Sequence, residues 1–425
     1  MKKLVTLILL FTVVCCYGQE TVGLNTGDIV SPEIHADQTV TFRFLASEAK
    51  SVTLEGSFLP KKKVQASVGE VEQPVHVALK KDKDGVWSYT SVRLAPELYT
   101  YCFYVDGLRM LDPSNVYMQR DIATYMNYFL INGKEVFAGV ESSQKHSQSD
   151  EMKSVGAANY TVNDVPHGTL MQVWYPSPTL GMSQRRMTVY LPACYLEPSF
   201  GGGQRVFPTL YLLHGAGGDE NAWSELGRAV QILDNLIAQG KCVPMVVVMP
   251  NGNGAQQAAP GVYANSMYKP QFMNPRCMEG SVETAFVKDI VGYVEEHFNV
   301  IPSRNYRAIA GLSMGGFHSL YISANYPNVF GYVGLFSAAV NRQGTGENDW
   351  IYQNIEQKLK NQFALHPKLY FIAIGTSDFL YKDNVDFRRR LDGMGATYEY
   401  METDGGHEWK NWRKYLNAFL PKLFK

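Results

Sequence analysis

The chain has 425 residues, of which 45% are hydrophobic, 12% aromatic and 19% charged. That apolar share supports a real core and excludes a disordered or fibrous protein, while the length predicts two or three domains at roughly 100–200 residues each. Thirty-nine basic residues balance forty acidic ones for a formal charge of −1, so neither nucleic acid nor an anionic membrane is advertised as a partner.

In chain order, Met1-Lys2-Lys3 is a basic start and Leu4 to Val14 an apolar run of eleven residues. That run is too short to span a bilayer but suits a signal peptide over residues 1–18, cleaved near Gly18. Export to the periplasm, cell surface or medium is therefore expected. A lipid anchor on Cys15 or Cys16 is the weaker alternative, because Val14 stands where a small residue is wanted. No later apolar run is long enough for a transmembrane segment. Export permits disulfides among Cys102, Cys194, Cys242 and Cys277, and at most one bridge is expected.

Residues 25–135 read as β structure. Thr39 to Phe44, Ser51 to Gly56 and Val86 to Thr90 alternate apolar and polar residues, and Asp106-Gly107 makes a hairpin between Tyr99–Val105 and Leu108–Met110. Short strands at this spacing predict an antiparallel sandwich. Trp87, Tyr89 and Tyr101 alternate along their strands, but period two does not say which face is solvated. A polar stretch around Ser142 to Asp150 places a linker at 136–160.

From 161 to 425 strands alternate with helices. Apolar runs at Met187–Leu191, Thr209–Leu213, Met245–Met249, Ala308–Ala310, Val333–Phe336 and Leu369–Ile374 predict strands. Asn221–Gln239, Glu283–Phe298, Gly316–Tyr326 and Asn384–Met394 have helical spacing. This alternation predicts a mostly parallel sheet covered on both faces.

Gly311-Leu312-Ser313-Met314-Gly315 lies between a predicted strand and a helix. A sharp turn there lifts a serine hydroxyl above the sheet, and only small residues fit beside it. Ser313 is the candidate nucleophile. His407, in Asp404-Gly405-Gly406-His407-Glu408-Trp409 after the last predicted strand, is the candidate base. Asp378, at the end of Leu369–Ile374, is the candidate acid, better placed than Asp383, Asp386 or Asp404. The Met314 N–H and one from His214-Gly215-Ala216-Gly217-Gly218 are candidate oxyanion donors, with Ala216 ahead of Gly215. His214 is expected to brace that turn. Trp223, Trp409 and Trp412 are candidates for flat-ring substrate contacts, against the commoner role of packing. No metal or organic cofactor is implied.

Asp164-Val165-Pro166-His167-Gly168, Trp174-Tyr175-Pro176-Ser177, Arg186 to Pro192, Leu210 to Gly218, Ala310 to Gly316, Gly375 to Asp378 and Gly405 to Trp409 together resemble the esterase D-like α/β-hydrolases, particularly bacterial feruloyl esterases of xylan-degrading systems. The front half, with Leu111-Asp112-Pro113-Ser114-Asn115, is similar to the immunoglobulin-like, glycogen-binding-type module that precedes such enzymes. The resemblance implies an α/β hydrolase behind an all-β sandwich, with Ser313, His407 and Asp378 as its triad. It further implies a secreted serine carboxylesterase acting on feruloylated or acetylated plant polysaccharide. Relatives in the group also cleave acetylxylan or catecholate siderophores, and a non-catalytic carbohydrate-binding protein is a rival of another class. The front module is read three ways: polysaccharide binding, positioning of the catalytic domain, or contact in a homodimer. The loop Asn251 to Gly280 and the insertion Gly201-Gly202-Gly203 match no single relative and leave the ester open.

Overall fold

A computed structural model describes residues 29–66, 69–132, 158–198, 203–262, 281–341 and 350–425. The expected leader, most of the linker, Cys277 and the second half of the Asn251–Gly280 loop lie outside the described residues.

The N-terminal domain is an antiparallel sandwich. A four-stranded sheet, in spatial order Glu33–Ile34, Val40–Leu45, Val86–Thr90, Lys80–Lys81, faces a larger one. The larger sheet runs Met118–Asp121, Thr124–Ile131, Glu97–Val105, Val52–Gly56, Val77–Ala78, with Leu108–Met110 beside Glu97–Val105. Alternation decides its core: Val40, Phe42 and Phe44 point inward to meet Leu54, Tyr101, Phe103 and Phe129. Phe42 lies edge-on to Tyr101 at 4.9 Å between centroids. Trp87 and Tyr101 are buried and Tyr89 packs against the same cluster, so this aromatic series is core. Asp112 is buried too, accepting from Ser31 Oγ at 2.6 Å and Tyr101 Oη at 2.8 Å. The Leu111–Asn115 motif is thus a structural knot, its buried polar atoms satisfied as they must be.

The C-terminal domain is built on one eight-stranded sheet. Its strands are β1 (Thr169–Ser177), β2 (Met182–Leu191), β3 (Thr209–Leu213), β4 (Val246–Pro250), β5 (Arg307–Leu312), β6 (Tyr332–Phe336), β7 (Leu369–Gly375) and β8 (Glu399–Thr403). The spatial order is β1-β2-β4-β3-β5-β6-β7-β8, antiparallel at β1-β2-β4 and parallel thereafter. Every residue of β3, β4, β6 and β7 is buried, as parallel strands sandwiched between helices require. β1 is the edge strand and bulges between Tyr175 and Ser177. Pro176 falls in that bulge, where its missing N–H costs the ladder nothing.

Seven helices of this domain matter here: α1 (Ala222–Glu225), α2 (Ala229–Ala238), α3 (Ser281–Ala285, continuing through a π turn Phe286–Val291 into Gly292–His297), α4 (Met314–Asn325), α5 (Ile355–Ala364), α6 (Tyr381–Gly393) and α7 (Trp409–Phe419). The single helix expected over Asn221–Gln239 is broken in two. Arg228 adopts φ +53° and spends its Nε–H on Tyr160 O at 2.9 Å, which stops α1 and re-aims the chain. Tyr160 and Ala158 are buried, and Tyr160 packs with Tyr190, Leu210 and Trp223. The last residues of the expected linker therefore belong to this core. Cys102, Cys194 and Cys242 are free thiols. Burial raises Cys242 to about 12 and Cys102 to about 11.

The two domains meet through a buried ion pair. Arg413 on α7 donates to Glu97 at 3.0 Å, to Leu226 O at 2.6 Å and to Leu98 O at 3.2 Å. Lys61, from a hairpin of the sandwich, reaches Glu408 at 2.6 Å.

Candidate active site

Ser313 sits between β5 and α4 with φ +52° and ψ −113°, outside the regions an L-residue prefers. Its backbone is pinned there: its N–H donates to Phe336 O at 2.9 Å, and its carbonyl accepts from Phe317 at 3.0 Å and Ala339 at 3.2 Å. Such strain persists only where surroundings over-determine it, and it concentrates at functional sites. The flanking glycines have a steric cause. A methyl group on Gly315 would strike the Leu213 and His214 carbonyls of the neighbouring strand end, and one on Gly311 would strike Gly315 itself.

His407 lies in the loop from β8 to α7. Its Nδ1 meets the Asp378 carboxylate at 2.9 and 3.0 Å. The ring is held between Phe379, 4.5 Å away, and Trp412, edge-on at 5.0 Å. The Asp378 side chain is fully buried, and Oδ1 also accepts the Leu380 N–H at 2.9 Å. That N–H stabilises the anion and sets the carboxylate plane. The loops carrying acid and base are stitched together: Ser377 N–H donates to Gly405 O at 3.0 Å, and Asn411 Nδ2 donates to Asp404 O and Gly406 O, both at 3.0 Å. Asn411 is not legible in the sequence, since one amide at the start of a helix has no signature. Of the other acids, Asp386 pairs with Arg389 at 2.9 Å, Asp404 stands 3.6 Å from Lys414, and Asp383 lines the same cavity as His407.

Ser313, Met314, Ala216 and His407 line one cavity of about 740 Å³. Met314 opens α4 directly after Ser313, at the helix end where the first N–H groups have no intrahelical partner and the dipole is positive. His214 braces the Ala216 turn as expected. It is buried, donates to Gly215 O at 2.7 Å and accepts the Gly252 N–H at 2.7 Å. Burial depresses its imidazole to about 4, so it is neutral and acts as a strut. A second strut was not legible beforehand. Glu220 accepts from Arg186 at 2.6 Å, Asn251 at 2.9 Å and the Ala259 N–H at 2.9 Å, which ties the start of the Asn251 loop to the cavity, where Ala259, Pro260 and Val262 line the wall. Burial raises the Glu220 carboxyl and Arg186 opposes the rise.

The three tryptophans separate. Trp409 and Trp412 line the cavity. Trp223 is 1% exposed, and its indole donates to Leu213 O at 2.9 Å. It is a packing residue beneath the site, in edge contact with Trp409 at 5.4 Å.

A family model described as "Putative esterase" matches residues 177–423, more than half of the chain. The chain belongs to the Esterase family. Its α/β-hydrolase domain stands behind an all-β, immunoglobulin-like one. It is 28% identical over 402 residues to an endo-1,4-beta-xylanase/feruloyl esterase of Xylanibacter ruminicola, covering 93% of this chain and 46% of that one. The chain thus spans under half the length of that relative. A ferulic acid esterase of the anaerobic fungus Anaeromyces mucronatus is 25% identical with a TM-score of 0.51, covering 62% of this chain and 93% of that one. The enterobactin esterase of Shigella flexneri shares the fold across both domains, with a TM-score of 0.55 at 16% identity over 91% of this chain and 93% of that one. Among the described residues no helix is long and apolar enough to cross a membrane.

Proposed function

We propose that this protein is an exported serine carboxylesterase that removes feruloyl groups from xylan-type polysaccharide. The observation that carries the reading is the buried Asp378 carboxylate on His407 Nδ1 at 2.9 Å, in the cavity that Ser313 enters from a strained strand–helix turn. In the first step Ser313 Oγ attacks the ester carbonyl while His407 Nε2 takes its proton, and Asp378 holds the tautomer and stabilises the imidazolium. The N–H groups of Met314 and Ala216 receive the oxyanion. The sugar hydroxyl leaves with the proton from His407, giving an acyl-serine. Water, deprotonated by the same imidazole, then releases the acid and restores Ser313.

The choice of ferulate is supported by the Xylanibacter and Anaeromyces relatives, and by a cavity well within the ~300–1,000 Å³ usual for small-molecule sites. The lining of Met118, Tyr125, Phe379, Trp409 and Trp412 suits a flat phenolic ring. Methyl ferulate, acetylated xylan and a siderophore triester form the deciding panel. Feruloyl release is expected; turnover of another member without it overturns the substrate assignment. Ser313→Ala should lower turnover by more than about 10³-fold, and unchanged turnover refutes the nucleophile. Export by residues 1–18 is checked by N-terminal sequencing of the secreted product, expected to begin near Gln19.

A further inference from the structure

The Met118–Asp121/Thr124–Ile131 hairpin belongs to the sandwich, yet Gln119, Arg120, Ile122 and Tyr125 stand in the wall of the esterase cavity. Asp121 pairs with Thr124, so Ile122 and Ala123 form a two-residue loop. A positive φ at the first position of such a loop is ordinarily given to glycine, but Ile122 holds φ +50°. For a β-branched residue that is a genuine outlier, and something must hold it there.

The Arg120 guanidinium does so. It donates to Ile122 O, which ties down the tip of its own hairpin. It also donates to Gly217 O at 3.2 Å and pairs with the Asp219 carboxylate, so one planar fork joins the sandwich to two points of the esterase domain. Asp219 is buried, and its other oxygen accepts the Asn221 N–H at 2.8 Å, which fixes the carboxylate that Arg120 grips. The Ile122 side chain fills the space over Gly217, where an added Cβ would come within 2.6 Å of Ile122 Cγ2. Gln119 supplies a second anchor, donating from Nε2 to Glu225 O of α1 at 3.2 Å.

The segment gripped in this way is the turn Gly215-Ala216-Gly217-Gly218. Gly218 N–H closes it on Gly215 O at 3.1 Å, and Gly217 takes φ +74°, the positive value that a type II turn requires at its third residue. Three glycines in four residues leave this backbone little conformational preference of its own. His214 braces it from within the esterase domain through Gly215 O, and Arg120 and Ile122 brace it from the sandwich.

We propose that Arg120 is a positioning residue for the esterase reaction: by clamping Gly217 O and Asp219 it sets the direction of the Ala216 N–H that receives the oxyanion. The proposal rests on the reading of Ser313 as nucleophile and Ala216 as donor. It makes the sandwich part of the catalytic machinery and not only a handle for polymer. A preorganised oxyanion donor acts on the transition state far more than on the bound ester. Loss of the clamp therefore lowers kcat and spares ground-state binding, and a donor displaced by about 1 Å costs on the order of 10²-fold.

The test uses the full chain, 4-nitrophenyl acetate as an ester with no sugar to engage the sandwich, and phenylboronic acid, whose tetrahedral adduct on Ser313 places an oxygen where the oxyanion forms. Arg120→Ala should lower kcat about ten- to a hundredfold with KM within about threefold, and should weaken the boronic acid by the factor lost in kcat/KM. Arg120→Lys keeps the charge without the fork and should recover only part of the loss. Ile122→Asn suits the positive φ but uncovers Gly217, so kcat should fall while the melting temperature holds or rises; this variant decides the matter if Arg120→Ala does not fold. Wild-type kcat in a folded Arg120→Ala protein, a rise in KM alone, full recovery by lysine, or a loss of kcat with unchanged boronic acid affinity overturns the positioning role. Ser313→Ala run in parallel separates the two ideas. Turnover surviving that change refutes the triad, whereas wild-type kcat in the Arg120 and Ile122 variants refutes only this proposal.

Discussion

Asp378→Asn is the most direct probe of the site, because the structure says what the amide must do. The side chain is fully buried, with Leu380 N–H at 2.9 Å from Oδ1 and His407 Nδ1 at 2.9 Å from Oδ2. An asparagine of the same shape puts its oxygen on the Leu380 N–H, which turns its NH₂ toward Nδ1. Nδ1 must then accept, so the ring proton moves to Nε2 and the base facing Ser313 is lost. The opposite flip sets NH₂ against an N–H and leaves a buried donor unpaired, at about 1–3 kcal/mol. Recovering the working tautomer costs that amount. The lost charge-assisted bond to the imidazolium adds about 2–3 kcal/mol in the transition state. The sum, about 3–6 kcal/mol, corresponds to roughly 10²–10⁴ in kcat/KM at 1.36 kcal/mol per decade. Initial rates on methyl ferulate, with thermal melts to confirm folding, measure it. Activity within tenfold of wild type in a folded Asp378→Asn protein would falsify the assignment, as would a larger loss in Asp383→Asn.

Gly315→Ala should be lost to folding or inactive, at or beyond the ~1–3 kcal/mol typical of overpacking, because the obstacles are backbone carbonyls that cannot rotate away; melting temperature and kcat report it. Arg413→Ala strands the buried Glu97 carboxylate, and about 3–5 kcal/mol of stability should disappear. An unchanged urea midpoint would show that the domain joint is held by something else. For His214, burial lowers the folded value to about 4 from 6.5. The unfolded chain therefore binds the extra proton first. The strut's stabilisation is complete above about pH 6.5 and is lost as pH falls toward 4, on the order of a few kcal/mol. His214→Gln should flatten that part of the stability–pH curve, and an equally steep curve in the variant assigns the acid sensitivity to other groups.

Much of the site was legible in the sequence because its signals are local. Gly311 and Gly315 flank Ser313 within one turn, and strand runs such as Thr209–Leu213 and Leu369–Ile374 are continuously apolar where both faces are covered. Asp378 could be chosen because acids of this kind stand at strand ends. The α5 helix and the edge strand β1 were missed, since β1 mixes exposed and buried residues without clean alternation. Other features depend on which surfaces meet. Period two placed Trp87 and Tyr101 on strands but could not say they point into the core. Nothing in the spacing of three tryptophans distinguishes Trp223, sealed under the sheet end, from Trp409, which faces the cavity.

The near-neutral, apolar-rich composition determined that this is a folded protein with no electrostatic claim on nucleic acid, and the strand–helix alternation determined its architecture. Short-range geometry was enough for the nucleophile, because a turn that lifts a serine is made by five consecutive residues. Only the tertiary structure decided how the two domains share the cavity. Arg120 meets Asp219 and Glu97 meets Arg413 across separations of about a hundred and about three hundred residues. Such pairings leave no periodic trace, because each depends on burial and complementarity created when two independently patterned domains pack.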